Sequence, residues 1–430
     1  MAQLDICLEA CGPLLLGEGH APGNFQTSRR YVPGSVWRGA LARSCLEALG
    51  QMPHSGQPVA GAPDGDFSLL FLGRDAGRFG CLYPARALPE GAVGQEALPL
   101  PLTARTCKYK GGFAPEKHGM YDGLLNRLRE AAAGEVPYVR ELPQCPRCAG
   151  HNPRLDRARG FILRHGALAS AYATVQIETR SLVRVGLNRH TETAQDRFLY
   201  TLDVLASGTG AAGHGEPLCF LGTWRGTEAQ AGALRSLLAE YLWPADGEGY
   251  LLPVGTARAR GLGRARLLLR EHQPGVPLEE RLEAFQPRGD DGRPSDPAHV
   301  YAALTLRAPA LLLDECGLPG SLGADTLRAY NPTAPQGLEV LAAYSVVERE
   351  TWSGWSSAWG LPKPLRAALA AGGVVALRAP SSRRDGLAAY LAELEADGLG
   401  ENRGEGWGEV LACDPFHTAF DEGRVLGERS

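Results

Sequence analysis

The chain opens with a period of two. Leu4, Ile6 and Leu8 alternate with Asp5, Cys7 and Glu9, the pattern of a strand with one buried face. Pro33 and Gly34 then punctuate the chain, and Ser35 has the chemistry of a helix N-cap, which predicts a helix running to about Gly50. From about residue 77 to residue 166 the periodicity fails and Gly, Pro and Cys recur. That stretch predicts an insertion stiffened by something other than an apolar core. Alternation resumes at Ser181–Leu187, Phe198–Leu205 and Pro217–Trp224. Between Thr227 and Leu242 the period becomes helical, with Ala231, Leu234, Leu237, Leu238 and Tyr241 on one face. Tyr250–Val254 and Ala265–Leu269 read as strands on either side of a loop rich in Gly and Arg.

Residues 286–298 are polar, rich in Pro and Gly, and aperiodic, the composition of a linker. Beyond them the order repeats. Val300–Leu306, Val340–Val347 and Val374–Leu377 are strand-like, and Arg384–Asp397 is helical with Leu387, Tyr390, Leu391 and Leu394 on one side. A second Gly-rich loop and a last strand, Glu409–Cys413, follow. Both halves therefore read strand first, helix late, then glycine loop and strand. The expected fold class is mixed α+β: two ferredoxin-like (RRM-like) βαββαβ domains, 1–285 and 299–430, joined by the linker, with the first interrupted by the insertion.

Composition excludes several classes. With 44% apolar and 21% charged residues in 430, the chain is globular, and its length calls for more than one core. The first nine residues carry Asp5 and Glu9 and no basic segment, and no run approaches the roughly 18 apolar residues of a spanning helix. A soluble cytoplasmic protein is expected, with no membrane partner and its ten cysteines reduced. The net charge of −4 argues against a general nucleic-acid binder, but the distribution is uneven. Val254–Arg270 holds five arginines and no acid, and Ala21–Leu46 holds four and no acid. Only Lys108, Lys110, Lys117 and Lys363 of the 44 basic residues are lysine.

Two segments carry chemistry. In the loop 255–266, Gly261 and Gly263 can adopt positive φ, and successive N–H groups of such a turn form an anion nest. Arg258, Arg260, Arg264 and Arg266 surround it with forked donors suited to phosphate. Dinucleotide and Walker fingerprints are excluded: Arg266 stands where the third glycine belongs, and no Gly-Lys-Ser/Thr is present. Separately, Cys145-Pro-Arg-Cys148 has the spacing of half a zinc site. Cys81, Cys107, His118 and His151 are candidates for the other half.

Four motifs in order resemble the RAMP superfamily of CRISPR-associated proteins. They are Tyr31-Val-Pro-Gly-Ser-Val-Trp-Arg-Gly-Ala-Leu41, Val185-Gly-Leu-Asn-Arg-His-Thr-Glu-Thr-Ala194 followed by Leu199-Tyr200, the first glycine loop, and Trp355-Ser-Ser-Ala-Trp-Gly-Leu-Pro-Lys-Pro364 with the late Gly-rich loop and Asp414-Pro-Phe416. With its Cys-x-x-Cys insertion, the chain looks like the RAMP subunit of type III-D effector complexes that caps the 5′ handle of the guide RNA. The resemblance implies a non-catalytic crRNA-binding protein whose partners are the crRNA, a large polymerase-like subunit and backbone RAMP subunits. The rival is a RAMP-type metal-independent endoribonuclease, which needs a histidine pair that the lone loop residues His20 and His190 do not supply. On this reading Arg29, Arg30, Ser35 and Arg38 line one side of an RNA groove and Arg258, Arg260, Gly261, Gly263 and Arg264 the other. Arg189 and His190 reach in from a sheet edge, and Trp355 and Trp359 are candidates for base stacking. The same resemblance points to Cys107 and His118 as the companions of Cys145 and Cys148 in a structural zinc site; His151 is the runner-up, on the spacing Cys148-x2-His151. The second glycine loop carries Glu401, Glu405 and Glu409 around a single Arg403, so it is expected to touch a protein neighbour and not the guide.

Overall fold

A computed structural model describes residues 1–421 apart from 18–23, 52–64, 74–75, 87–94, 136–143, 149–153, 166–167, 189, 209–216, 246–247, 290, 315, 321 and 357–360. The first sheet is antiparallel throughout. Its hydrogen-bonded order is Arg264–Glu271, Ala2–Ala10, Leu218–Gly226, then Arg78–Phe79 and Tyr83–Arg86 side by side along the same edge, with Tyr250–Pro253 added outside the first of these. Taken by chain position, the fourth strand lies beside the first, then the third, then the second. Strict alternation of Ala2–Ala10 puts Leu4, Ile6 and Leu8 on the covered face. There they meet Trp37 and Leu41 of the helix Gly34–Ala48, and Leu234 and Leu238 of the helix Glu228–Tyr241. Each such side chain contributes about 1.5–3 kcal/mol on burial. The second helix is fixed at its start by a capping box, in which Thr227 and Gln230 satisfy each other's backbone N–H.

The second sheet repeats the order. Glu339–Val340, Val374–Pro380, His299–Leu306 and Val410–Ala412 are neighbours in that sequence, all antiparallel. Leu387, Tyr390, Leu391 and Leu394 of the helix Arg384–Asp397 seal its core. In each half a long hairpin leaves between the second and third strands: Thr179–Leu187 with Ala194–Leu205, and Arg349–Ser356 with Leu361–Leu369. Both return to the same place, Leu205 bridging Leu14 and Leu369 bridging Ala310.

Several expectations change. Ser35 does not cap its helix. Pro33 takes that position at φ −58° and ψ 145°, with no side-chain cap, because residue 34 must be bare (below). Val340–Val347 is a strand only at its start; residues 342–345 turn, and Ser345 Oγ donates to Leu341 O. The segment 77–166 does not leave the first sheet at residue 77, since 78–86 form its edge. Its remainder builds two three-stranded sheets, Glu96–Pro99/Phe161–Arg164/Tyr172–Val175 and Met120–Asp122/Ala104–Cys107/Leu155–Arg157. The helix Leu124–Ala132 buries Leu124, Leu125 and Leu128 in the second core. Leu282 and Phe285 also belong to that core, and residues 286–298 fold back tightly: Gln286 bonds both the N–H and the C=O of Tyr301.

The halves are joined by buried ion pairs. Arg164 Nη1 donates to Asp414 at 2.7 Å and its Nε to Glu96 at 2.9 Å. Arg307 reaches the other Glu96 oxygen at 3.2 Å, and Arg225 meets Glu409 at 3.2 Å. Burial alone would raise the Glu96 pKa, but Arg164 and Arg307 pull it down to about 2. Among the described residues no helix is long and apolar enough to cross a membrane.

Candidate nucleic-acid interface and metal centre

The first glycine loop is held by the segment 13–17. Thr256 N–H donates to Leu15 O at 2.9 Å, Gly263 N–H to Pro13 O at 2.9 Å, and Val254 N–H to Gly263 O at 2.8 Å. Ala257 and Gly261, both left-handed at φ 57° and 81°, flank a single 3₁₀ turn, Arg258–Arg260. The N–H groups of Arg260 and Gly261 donate to Ala257 O and Arg258 O. With the N–H groups of Arg260, Gly261 and Gly263 bonded inside the protein, the guanidinium groups are left as the principal donors to an anion. Arg260 and Arg264 are exposed. Arg258 is half-buried, and burial with the nearby Arg43 guanidinium lowers its pKa.

The second glycine loop has the same backbone, residue for residue. Glu401 N–H donates to Leu311 O, Gly408 N–H to Pro309 O, Leu399 N–H to Gly408 O, and Glu405 N–H to Asn402 O, all at 2.7–2.9 Å. Asn402 and Gly406 are left-handed at φ 58° and 85°. Only the chemistry differs. Arg258 corresponds to Arg403, but Arg260 corresponds to Glu405 and Arg264 to Glu409.

The surroundings differ as sharply. A Cβ on Gly261 would touch nothing, whereas one on Gly406 would overlap the carbonyl oxygen of Phe79. A Cβ on Gly34 would overlap that same oxygen and stand 2.5 Å from Glu405 O. Cys81 Sγ faces Gly406 O at 3.6 Å, and Lys363 Nζ pairs with Glu405 at 3.0 Å. The acidic loop, expected to meet a protein neighbour, packs instead against the first half of its own chain. Its dock is the Pro33–Gly34 turn.

Other predicted residues separate. Arg29 lies over the Trp352 ring, 3.7 Å from its centroid, in an aromatic cluster with Tyr31 and Trp407. Arg38 donates to Phe71 O at 2.6 Å, and burial lowers its pKa. Ser35 is half-buried and Arg30 is exposed. Ser28–Arg30 and the first glycine loop flank the same segment, because Arg29 N–H donates to Leu16 O at 2.7 Å. His190 is exposed at the tip of the first hairpin, its N–H bonded to Asn188 Oδ1 at 2.9 Å. Arg189, His20, His151 and Trp359 lie outside the described residues.

Two residues had no role assigned from sequence, Tyr200 having entered only as part of a motif. Arg260 Nη1 donates to the Tyr200 hydroxyl at 2.9 Å, and the exposed Arg184 is the cross-strand partner of Tyr200. The hairpin thus lays an aromatic ring and a further cation beside the open loop. Alternation along Ala194–Leu205 gives Tyr200 its face, but nothing in the sequence says which loop that face meets.

Cys107, His118, Cys145 and Cys148 converge, with their ligand atoms within 4.8 Å of one another. Cys107 Sγ is 3.5 Å from Cys148 Sγ, and His118 Nδ1 is 3.4 Å and 3.3 Å from the sulfurs of Cys145 and Cys148. A tetrahedron with 2.3 Å metal–sulfur arms has edges of about 3.8 Å, so three thiolates and one imidazole nitrogen fit a closed four-coordinate ion. Such a cluster could hold a metal. Cys81 is elsewhere, under the second glycine loop.

One further histidine is arranged like a relay. His417 Nδ1 is 3.1 Å from Asp122 and its Nε2 2.9 Å from Thr305 Oγ1, while Thr103 donates to the other Asp122 oxygen. All four are buried, so the group is a structural tie without substrate access. Burial opposes the imidazolium, but Asp122 outweighs it and the His417 pKa is raised. The cleft between the halves, about 930 Å³, is walled by Arg164–Glu96 and Arg281–Glu395 pairs that already satisfy each other.

No protein-family model matches the chain, and no curated protein matches it. Among solved structures, a chain of the type III-B Cmr-beta complex bound to cognate target RNA and AMPPnP is similar at a TM-score of 0.40 and 12% identity, over 89% of this chain and 88% of that one. A chain of the apo state of Cmr-beta gives 0.28 and 11%, over 62% and 97%. A chain of a type IV-B CRISPR complex gives 0.23 and 11%, over 64% and 94%.

Proposed function

We propose that this protein is the guide-anchoring subunit of a type III-D-like CRISPR effector ribonucleoprotein, a RAMP protein of two ferredoxin-like units that holds the 5′ handle of the crRNA without cutting it. The observation that carries this reading is the contrast between the glycine loops. They share one backbone, yet the acidic copy is docked inside the chain, and the copy bearing Arg258, Arg260 and Arg264 is open to solvent. Exposed arginines beside an aromatic hairpin residue suit single-stranded RNA, which is held by phosphate contacts and stacking. The strand order, fourth–first–third–second in both halves, supports the ferredoxin-like reading. The Pro-Gly-Ser turn at residues 33–35 supports the RAMP reading, since it is the dock of the second loop.

The handle then lies along Arg264, Arg260 and Tyr200 toward Arg30, with His190 on the hairpin tip. Neighbouring effector subunits, a large polymerase-like one and backbone RAMP ones, meet the remaining surfaces. Zinc in the Cys107, His118, Cys145, Cys148 cluster is structural, since four protein ligands leave no open position for chemistry.

Filter binding of the purified protein to a 5′-handle RNA, with scrambled RNA and DNA of equal length as controls, tests this. Tight retention of intact handle RNA is expected. An Arg260→Ala/Arg264→Ala variant should bind weakly, and its salt slope should fall by about 1.4, at roughly 0.7 per lost single-strand phosphate contact. Cleaved RNA on the gel would favour the endoribonuclease; equal binding by parent and variant would overturn the proposal.

A further inference from the structure

Three of the four lysines of this chain, Lys108, Lys110 and Lys117, stand between two residues of the metal cluster, Cys107 and His118. All three are exposed. Tyr109, between the first two, is 70% exposed. Arg147, from between Cys145 and Cys148, is also exposed, and its Nη1 donates to Lys117 O at 3.2 Å, which brings a further cation alongside. Glu116 is the one acid between Cys107 and His118.

The loop that carries them is stiff. Lys110 N–H points at Cys107 Sγ at 3.5 Å, His118 N–H donates to Lys110 O at 3.0 Å, and Gly112 N–H to Thr106 Oγ1 at 2.8 Å. Tyr109 therefore sits on a knuckle whose base is the ligand cluster, so little backbone freedom is lost when its ring is covered. Among the described residues carboxylates pair with arginine or histidine, apart from Lys363–Glu405, and none of these three lysines pairs with an acid. Lysine is a point charge on a flexible stem, fitted to follow a phosphate chain and not to fork a carboxylate.

We propose that this knuckle is a second contact for single-stranded nucleic acid, with Tyr109 stacking on a base and Lys108, Lys110, Lys117 and Arg147 neutralising phosphates. An aromatic ring interleaved with cations is the surface that tracks a strand without reading its sequence. The knuckle shares no residue with the glycine loop, and its contact stands or falls independently of the guide-anchoring reading.

The test uses the full chain, a fluorescein-labelled 12-nucleotide oligouridylate and a range of salt. Tyr109→Ala should weaken binding roughly ten-fold or more and Tyr109→Phe should restore it, because stacking needs only the ring. Lys108→Gln/Lys110→Gln/Lys117→Gln should lower the salt slope by about 2. Metal content of each variant, measured by atomic emission, shows whether the knuckle has kept its shape, and ultraviolet crosslinking of the parent should mark Tyr109. Loss only in Arg260→Ala/Arg264→Ala overturns this contact and leaves the guide reading standing; loss only in the knuckle variants does the reverse. If the parent does not bind, both fail. If RNA binding is unchanged while a polyglutamate peptide loses its hold on the lysine variant, the face is one for acidic protein and the proposal is overturned.

Discussion

At the residue scale, glycine has two different jobs in these loops. Gly261 and Gly406 share a left-handed conformation, but only Gly406 also abuts a carbonyl. Gly261→Ala should therefore cost about 1–2 kcal/mol, the ordinary penalty of that conformation. Gly406→Ala should cost more, and Gly34→Ala, in ordinary helical backbone, about 1–3 kcal/mol from overlap alone. Urea midpoints of the three variants check the order; equal losses would mean that the dock gives way freely. The sequence predicts positive φ at Gly261 and Gly263 from the loop's composition, and Gly34 as punctuation. It does not predict that Gly34 is bare because residue 405 lies against it. No local pattern encodes a contact between positions so far apart. Arg29 and Arg38 show the same limit: their charge is legible, and their partners, the Trp352 ring and the Phe71 carbonyl, are not.

At the scale of elements, two ties between the halves titrate in opposite senses. Glu96 has a folded pKa of about 2, below its ordinary 4.5. Its stabilisation is complete above about pH 4.5 and is lost as pH falls toward 2. His417 has a raised pKa beside Asp122, so its stabilisation is complete below about pH 6.5 and is lost as pH climbs past the raised value. The urea midpoint should thus be highest between about pH 4.5 and 6.5. His417→Asn should flatten the alkaline limb and leave the acid limb in place; a parent without an alkaline limb would refute the assignment. Elements with a strong period were legible: the opening strand, the Thr227-capped helix and the helix Arg384–Asp397. The hairpin Arg349–Leu369 was not. Its strands are lined by Gly, Ser and Pro and are exposed on the returning side, so no alternation of apolar residues marks them.

For the whole molecule, the repeat of strand order was legible and its depth was not. The loops coincide residue for residue in their hydrogen bonds while Arg260 and Arg264 stand against Glu405 and Glu409, so side-chain chemistry hides the correspondence. The lobe that carries the Cys/His cluster, with the strands Ala104–Cys107, Met120–Asp122 and Leu155–Arg157, is tied to the second half through Asp122 and His417. With zinc as the proposed ion, one equivalent per chain is expected, and none in Cys145→Ser/Cys148→Ser. Removal by a chelator should speed amide exchange in 104–122 and 144–157 and leave 218–241 unchanged. Exchange that quickens throughout would show instead that the lobe supports the whole fold.

The docking of the second glycine loop on Gly34 and Phe79 also sets a schedule for biosynthesis. Residues 34 and 79 leave the ribosome more than 300 residues ahead of their cover, residues 400–408. At about 5–20 residues per second, the interval is roughly 15 to 65 seconds. For that time the nascent first unit leaves the Gly34 turn and the backbone at Phe79 uncovered. A ribosome that stalls before residue 400 releases a chain with this face still open, a natural substrate for chaperones and proteases.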